Sequence, residues 1–261
     1  MFILKIIVTL IAGIIAGFIN SMAGGGSLLT LPALSFLGLP MFTANATNRI
    51  SILAGNVIAS INFKRRGYSE NKTALMLSLP AIAGGIIGSR FSINLPESLF
   101  NIILSTIMVF IFLITMRKPK ILEEEEKKKL TIPGKALLAV SFFLIGIYGG
   151  LIQVGVGFII IATLNLLTNF SMAKINGVKV VIISAYTIFV ILVFSREGKI
   201  DWLMGMPLAT GSLIGGFLGS NFAVSVKEKW IKLVMGAAVI AMIVKISGIW
   251  KPVIQELNKI F

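Results

Sequence analysis

An all-α polytopic membrane protein, built as two inverted-topology repeats of five hydrophobic segments each, is the fold that this sequence predicts. Three observations predict it. Of 261 residues, 56% are hydrophobic and 13% charged, whereas soluble domains run near 45–50% apolar and about 25% charged. Mean hydropathy is +0.97, and apolar stretches of roughly 20 residues, enough to cross a bilayer as a helix, recur along the chain. Glycine motifs also recur in register: Gly84-Gly85-Ile86-Ile87-Gly88-Ser89 matches Gly215-Gly216-Phe217-Leu218-Gly219-Ser220 at an offset of 131.

The segments follow in order. The first repeat, 1–116, holds apolar spans 3–23, 27–38, 42–63, 72–90 and 96–116; the second, 134–261, holds 134–152, 156–168, 172–195, 202–223 and 230–249. Met1 to Ala23 reads as a membrane helix rather than a cleaved leader, since its only early base is Lys5 and no A-x-A site follows. Between the repeats, 117–133 is a charged linker in which Glu123 to Glu126 precede Lys127 to Lys129. Gly17 and Gly26 pair with Gly146 and Gly155 at an offset of 129, and Phe63 and Gly67 pair with Phe194 and Gly198 at 131. Several spaced matches in nearly one register are the mark of a duplication.

The second span of each repeat has only about a dozen residues, or roughly 18 Å of helix, too short for a core of about 30 Å. The first two spans of each repeat are therefore expected to form a glycine-broken or re-entrant hairpin; whether the short spans cross fully stays open. Either way each repeat crosses an odd number of times, so the second lies inverted, as in many secondary transporters. Loop charges agree. With Lys64-Arg65-Arg66 inside, 15 bases fall on the cytoplasmic side and six (Lys5, Arg90, Arg196, Lys199, Lys251, Lys259) outside. Basic loops face the cytoplasm, which places both termini outside it, in the inner (plasma) membrane. The net charge of +14 is read as this orientation signal and not as a nucleic-acid surface.

The breaks carry the first candidate residues. Asn20, Ser21, Gly24, Gly25, Gly26, Ser27 and Thr30 surround the first; Gln153, Gly155 and Gly157 mark the second. Gly24 to Ser27 and Gln153 to Gly157 are expected to be hairpin tips near the midplane. Consecutive glycines interrupt a helix, and irregular backbone inside a membrane must be buried in protein or line a cavity. N–H groups starting the next helix suit an anion.

The second candidates are basic residues inside apolar spans: Arg49 in Thr47-Asn48-Arg49, and Lys179 in Asn176-Gly177-Val178-Lys179, 130 positions apart. An intramembrane cation is costly and is a functional hypothesis by default. The alternative, that each snorkels to the nearer interface, stays open. All ten acids fall in loops or at segment ends, so the expected counter-charge is an anionic substrate. Arg suits a bidentate oxyanion and Lys a point contact; Asn20, Ser21, Ser27, Thr30, Thr47, Asn48, Gln153 and Asn176 could add neutral donors.

The chain has no His and no Cys, which argues against the usual zinc and haem sites and against thiol catalysis. No nucleophile is paired with a base, so an enzyme is not expected, nor any cofactor or metal. Trp202, Trp230 and Trp250 fall at segment ends, as an interfacial aromatic belt predicts.

The run Ala16-Gly17-Phe18-Ile19-Asn20-Ser21-Met22-Ala23-Gly24-Gly25-Gly26-Ser27, with Leu31-Pro32-Ala33-Leu34, Gly38-Leu39-Pro40 and Ala46-Thr47-Asn48-Arg49, resembles the TauE/SafE family of membrane permeases. So do the Gly-Gly-x-x-Gly-Ser repeats. The chain departs from that pattern at Asn20, often acidic there, and at Ile175 to Val178, where a threonine-rich run precedes the second base. The resemblance implies a transporter of sulfite or organosulfonates such as sulfoacetate. Combined with the charge pattern, it predicts movement of a small anion by alternating access. An anion channel and a non-transporting membrane scaffold are the alternatives, and self-association is left open.

Overall fold

The computed structural model describes residues 2–22, 24–116 and 132–222. The linker expected at 117–133, save its last two residues, and the tenth span, 230–249, lie outside them. Every regular element among the described residues is helical: α1 (Phe2–Met22), α2 (Ser27–Phe36), α3 (Met41–Arg65), α4 (Asn71–Ile93), α5 (Glu97–Met116), α6 (Ile132–Leu151), α7 (Val156–Leu167), α8 (Met172–Arg196) and α9 (Trp202–Phe222). Four of them, over Ile3–Met22, Asn71–Ile93, Met172–Arg196 and Trp202–Phe222, are long and apolar enough to cross a membrane. Their outward faces are large and apolar: Leu4, Ile7 and Ile11 on α1, Leu75, Leu79 and Phe91 on α4, and Met206, Ile214 and Phe217 on α9 are exposed.

The expectation for span 42–63 needs correcting. The element is a helix, but its interior is polar. Asn45, Thr47, Asn48, Arg49, Ser51, Asn56 and Asn62 are all buried on α3. An average over the span hides them, because Ala, Ile, Val and Phe fill the gaps. A polar helix inside an apolar shell is stable only where its groups find partners within the protein, and α3 is packed against α1, α2, α5, α8 and α9.

The contacts between elements come in pairs. α1 lies along α9 while α4 lies along α6; α3 packs on α9 while α8 packs on α4; α3 and α8 pack on each other. Small residues set these crossings. A Cβ added at Gly13, Gly211 or Gly215 would strike the backbone of the facing helix in the α1–α9 pair, and one at Gly84, Gly88, Gly146 or Gly150 would do so in the α4–α6 pair. Spacing of four puts these glycines on one face, so the helix backbones meet directly, as in membrane helix pairs generally. Apolar cores fill the rest: one joins α3, α4, α6, α7 and α8 around Phe142, Tyr186 and Phe194. Another joins α1, α2, α3, α5 and α9 around Leu31, Phe100 and Leu208.

Candidate functional site

Two breaks interrupt the chain where expected, between α1 and α2 and between α6 and α7. Each closes its first helix with an i→i−5 bond: Gly24 N–H to Ile19 O at 3.1 Å, and Gln153 N–H to Tyr148 O at 3.4 Å. Gly24 and Gln153, 129 apart, both have positive φ, +85° and +70°. The left-handed region suits glycine and strains glutamine. The two breaks meet: a Cβ on Gly24 would strike Gly157 Cα, and one on Gly157 would strike Gly24 Cα.

The cations go to these breaks, each to that of the other half. Arg49 is fully buried. Its Nη1 donates to Gly149 O and to Gln153 Oε1 at 2.5 Å. Its Nη2 donates to Gly150 O at 3.1 Å and to Asn45 Oδ1 at 3.4 Å. The Phe194 ring lies 5.6 Å from the guanidinium carbon. Lys179, also fully buried, donates from Nζ to Asn20 O at 3.1 Å, Ser21 O at 3.2 Å and Asn176 Oδ1 at 2.7 Å. Neither snorkels. Each binds carbonyls from the last turn of a broken helix, α6 for Arg49 and α1 for Lys179, where free acceptors and the negative end of the dipole lie.

The idea that these cations wait without partners is therefore corrected: backbone oxygens partner them. Among the described residues no carboxylate does, and the ion pair present is Lys174–Glu70 at 2.6 Å, away from both. A helix terminus carries about half a charge. At each break a −0.5 end, a whole cation and the +0.5 start of the next helix come together, leaving the break net positive.

The triplet Thr47-Asn48-Arg49 fans out in three directions, as 100° per residue requires. Arg49 reaches the second break. Asn48 reaches the start of α2, accepting from Thr30 Oγ1 at 2.7 Å and donating to Ser27 Oγ at 3.0 Å. Thr47 goes elsewhere: its hydroxyl accepts from Asp201 N at 2.9 Å, at the entry to α9. The structure thus brings Asn20, Ser21, Gly24, Gly25, Gly26, Ser27, Thr30, Asn48, Asn176 and Lys179 around the first break, and Arg49, Gln153, Gly155 and Gly157 around the second. Thr47 is not joined to either. Asn20 also caps α2 from across the break, its Oδ1 accepting from Gly26 N at 2.8 Å. Gly155, with φ +69°, starts α7, where a Cβ would strike Ile111 of α5.

Some site residues escaped the sequence reading. Tyr186 donates to Gln153 Oε1 at 2.7 Å, and Tyr148 donates to Val154 O. Asn45 supports Arg49 and also donates to Leu151 O at 3.2 Å. Asn45 carried a signal, standing four residues before Arg49 on the same face. Tyr186 carried a weaker one, as a lone hydroxyl-bearing ring in an apolar span. Among the described residues no group of three or more His, Cys, Asp or Glu could hold a metal ion.

A helical membrane protein with two broken helices, each clasped by a buried cation, belongs by architecture with the membrane transporters. Comparison makes the class specific: the chain matches the sulfite exporter TauE/SafE family model over residues 9–246, and it belongs to that family. It is 28% identical over 236 residues to a probable membrane transporter protein of Sinorhizobium, covering 90% of each chain. It is 27% identical to a probable membrane transporter protein of Haemophilus influenzae, covering 82% of this chain and 83% of the relative. It is 28% identical to the probable membrane transporter protein YfcA of Escherichia coli, covering 84% and 80%. No solved structure matches it.

Proposed function

We propose that this transporter moves a small anion, a sulfur oxyanion or organosulfonate, by alternating access across the inner membrane. The observation that carries the reading is the pair of fully buried cations, Arg49 and Lys179, each placed at a helix break with no carboxylate beside it among the described residues. Arg49 keeps one buried donor, Nε, without a partner. Gln153 Oε1 already holds Nη1 and Tyr186, so it occupies the place an incoming oxyanion would take. The family name, which speaks of sulfite export, favours sulfur chemistry for the cargo. The exchanged contacts of α1–α9 with α4–α6, and of α3–α9 with α8–α4, support two inverted repeats of five segments, with both termini outside the cytoplasm. Movement of one repeat against the other about the Gly24–Gly157 contact would then alternate access.

Flux of radiolabelled sulfite and sulfoacetate in proteoliposomes tests this. Arg49→Ala and Lys179→Ala are each expected to lower uptake at least about tenfold, since each removes a charge-assisted contact. Wild-type rates in both variants refute the role given to the cations. Non-saturating current without counterflow would instead indicate a channel. Absence of thermal stabilisation by any of a panel of anions would indicate a scaffold, because a specific ligand stabilises the state it binds.

A further inference from the structure

Between the two breaks, the crossing of α3 and α8 holds polar groups that the reading above leaves unused. Arg49 lies against Phe194 near one end of this pair, and Phe63 lies against Gly177 near the other. The helices are therefore antiparallel, and Asn56, the midpoint of this stretch on α3, comes level with the turn of α8 that carries Ser184 and Thr187. Arg49, Ile52, Asn56, Ala59 and Phe63 recur at intervals of three and four along one stripe of α3, and Val180, Ser184 and Thr187 do so on α8. Asn56 and Thr187 are 131 residues apart, the register of the duplication, so each half supplies one. Asn56 is 2% exposed and Thr187 is 0% exposed.

Asn56 Nδ2 donates to Ile52 O at 2.8 Å. That bond fixes which way the amide lies, and it leaves Oδ1 as the free pole. Asn56 Oδ1 has no hydrogen-bond partner, and Thr187 Oγ1 makes no bond of ordinary geometry, although it lies beside the Tyr186 hydroxyl; a buried polar atom left so is costly. Ser184 Oγ donates to Val180 O at 2.8 Å and keeps its lone pairs. The crossing therefore offers uncharged oxygens with the electronegative end outward.

We propose that this crossing binds Na⁺, with Asn56 Oδ1 and Thr187 Oγ1 as ligands and Ser184 Oγ beside them. A hard cation takes oxygen ligands, and a divalent one would call for carboxylates, which the crossing lacks. An anion is disfavoured because the amide presents oxygen. Arg49 stands seven residues from Asn56 and Lys179 eight from Thr187, about 10 and 12 Å along their helices. The ion is thus repelled from both sides until an anion sits at a break. Occupancy of one site raises affinity at the other, and the coupling is reciprocal. The ion site stands on its own oxygens; only this coupling rests on the anion reading.

Thermal unfolding of the purified full chain, at constant chloride with NaCl replaced stepwise by KCl or choline chloride, tests the site. Saturable stabilisation by Na⁺ over both replacements is expected. Thr187→Val and Asn56→Leu should each raise the half-saturating Na⁺ concentration about tenfold, as loss of one ligand of a small set does, while Thr187→Ser stays near wild type. Identical wild-type curves in the three cations assign the two oxygens to water and overturn the proposal, whether or not the variants fold. A Na⁺ response unchanged in both Val and Leu variants overturns it too. Sulfite and sulfoacetate are then added. Stabilisation by Na⁺ but by no anion leaves the ion site standing and removes the anion reading; the converse removes the ion site alone.

Discussion

Gln153 is where single-residue physics is most exposed. It holds φ +70°, a conformation that costs a non-glycine residue about 1 kcal/mol or more, and its side chain binds both Arg49 and Tyr186. Removing the side chain while keeping the strain is the worst combination. Gln153→Ala is therefore expected to unfold at lower temperature than Gln153→Gly, by about 1 kcal/mol of stability, and both below wild type because Tyr186 loses its acceptor. Differential scanning fluorimetry of the three proteins checks the order. The positions of Arg49 and Lys179 were legible from the sequence, since a base inside an apolar run stands out at once. Their main-chain partners were not, because carbonyls are present at every residue and these lie about a hundred or more positions away.

At the level of elements, close helix crossings explain why glycine is placed where it is. A methyl at Gly84 would strike the carbonyl of Phe143, and one at Gly215 that of Ile14. Gly84→Ala and Gly215→Ala should each destabilise by about 1–3 kcal/mol through overpacking. Ile87→Ala, on the exposed face one turn from Gly84, should change stability by less than about 0.5 kcal/mol. Unfolding in graded denaturant separates them. The helices themselves were readable because apolar length is a direct demand of the bilayer, and the breaks because glycine runs stop a helix. Beyond Thr47, Asn48 and Arg49, the polar interior of α3 was missed for a physical reason. Asn45, Ser51, Asn56 and Asn62 are covered by neighbouring helices, and a linear average cannot tell a covered face from an open one.

For the whole molecule, the expected repeat rests on an offset in sequence, and the paired contacts α1–α9 with α4–α6 and α3–α9 with α8–α4 are what such a repeat would give. Proposed orientation is testable without background labelling, since the chain has no native cysteine. Lys64→Cys, exposed in the last turn of α3, should react with a membrane-impermeant maleimide only after the cells are opened. Lys199→Cys, in the exposed turn after α8, should react in intact spheroplasts. The reverse pattern would invert the topology.

The polarity of α3 reaches into how such a chain is made. Arginine near a helix centre costs about 2.5–3.5 kcal/mol on insertion scales, and α3 adds several buried amides to that. Its partners α8 and α9, and the α6 carbonyls that receive Arg49, emerge from the ribosome more than sixty residues later. Biogenesis must therefore shelter this helix, in the insertion machinery or at the bilayer surface, until the second half arrives.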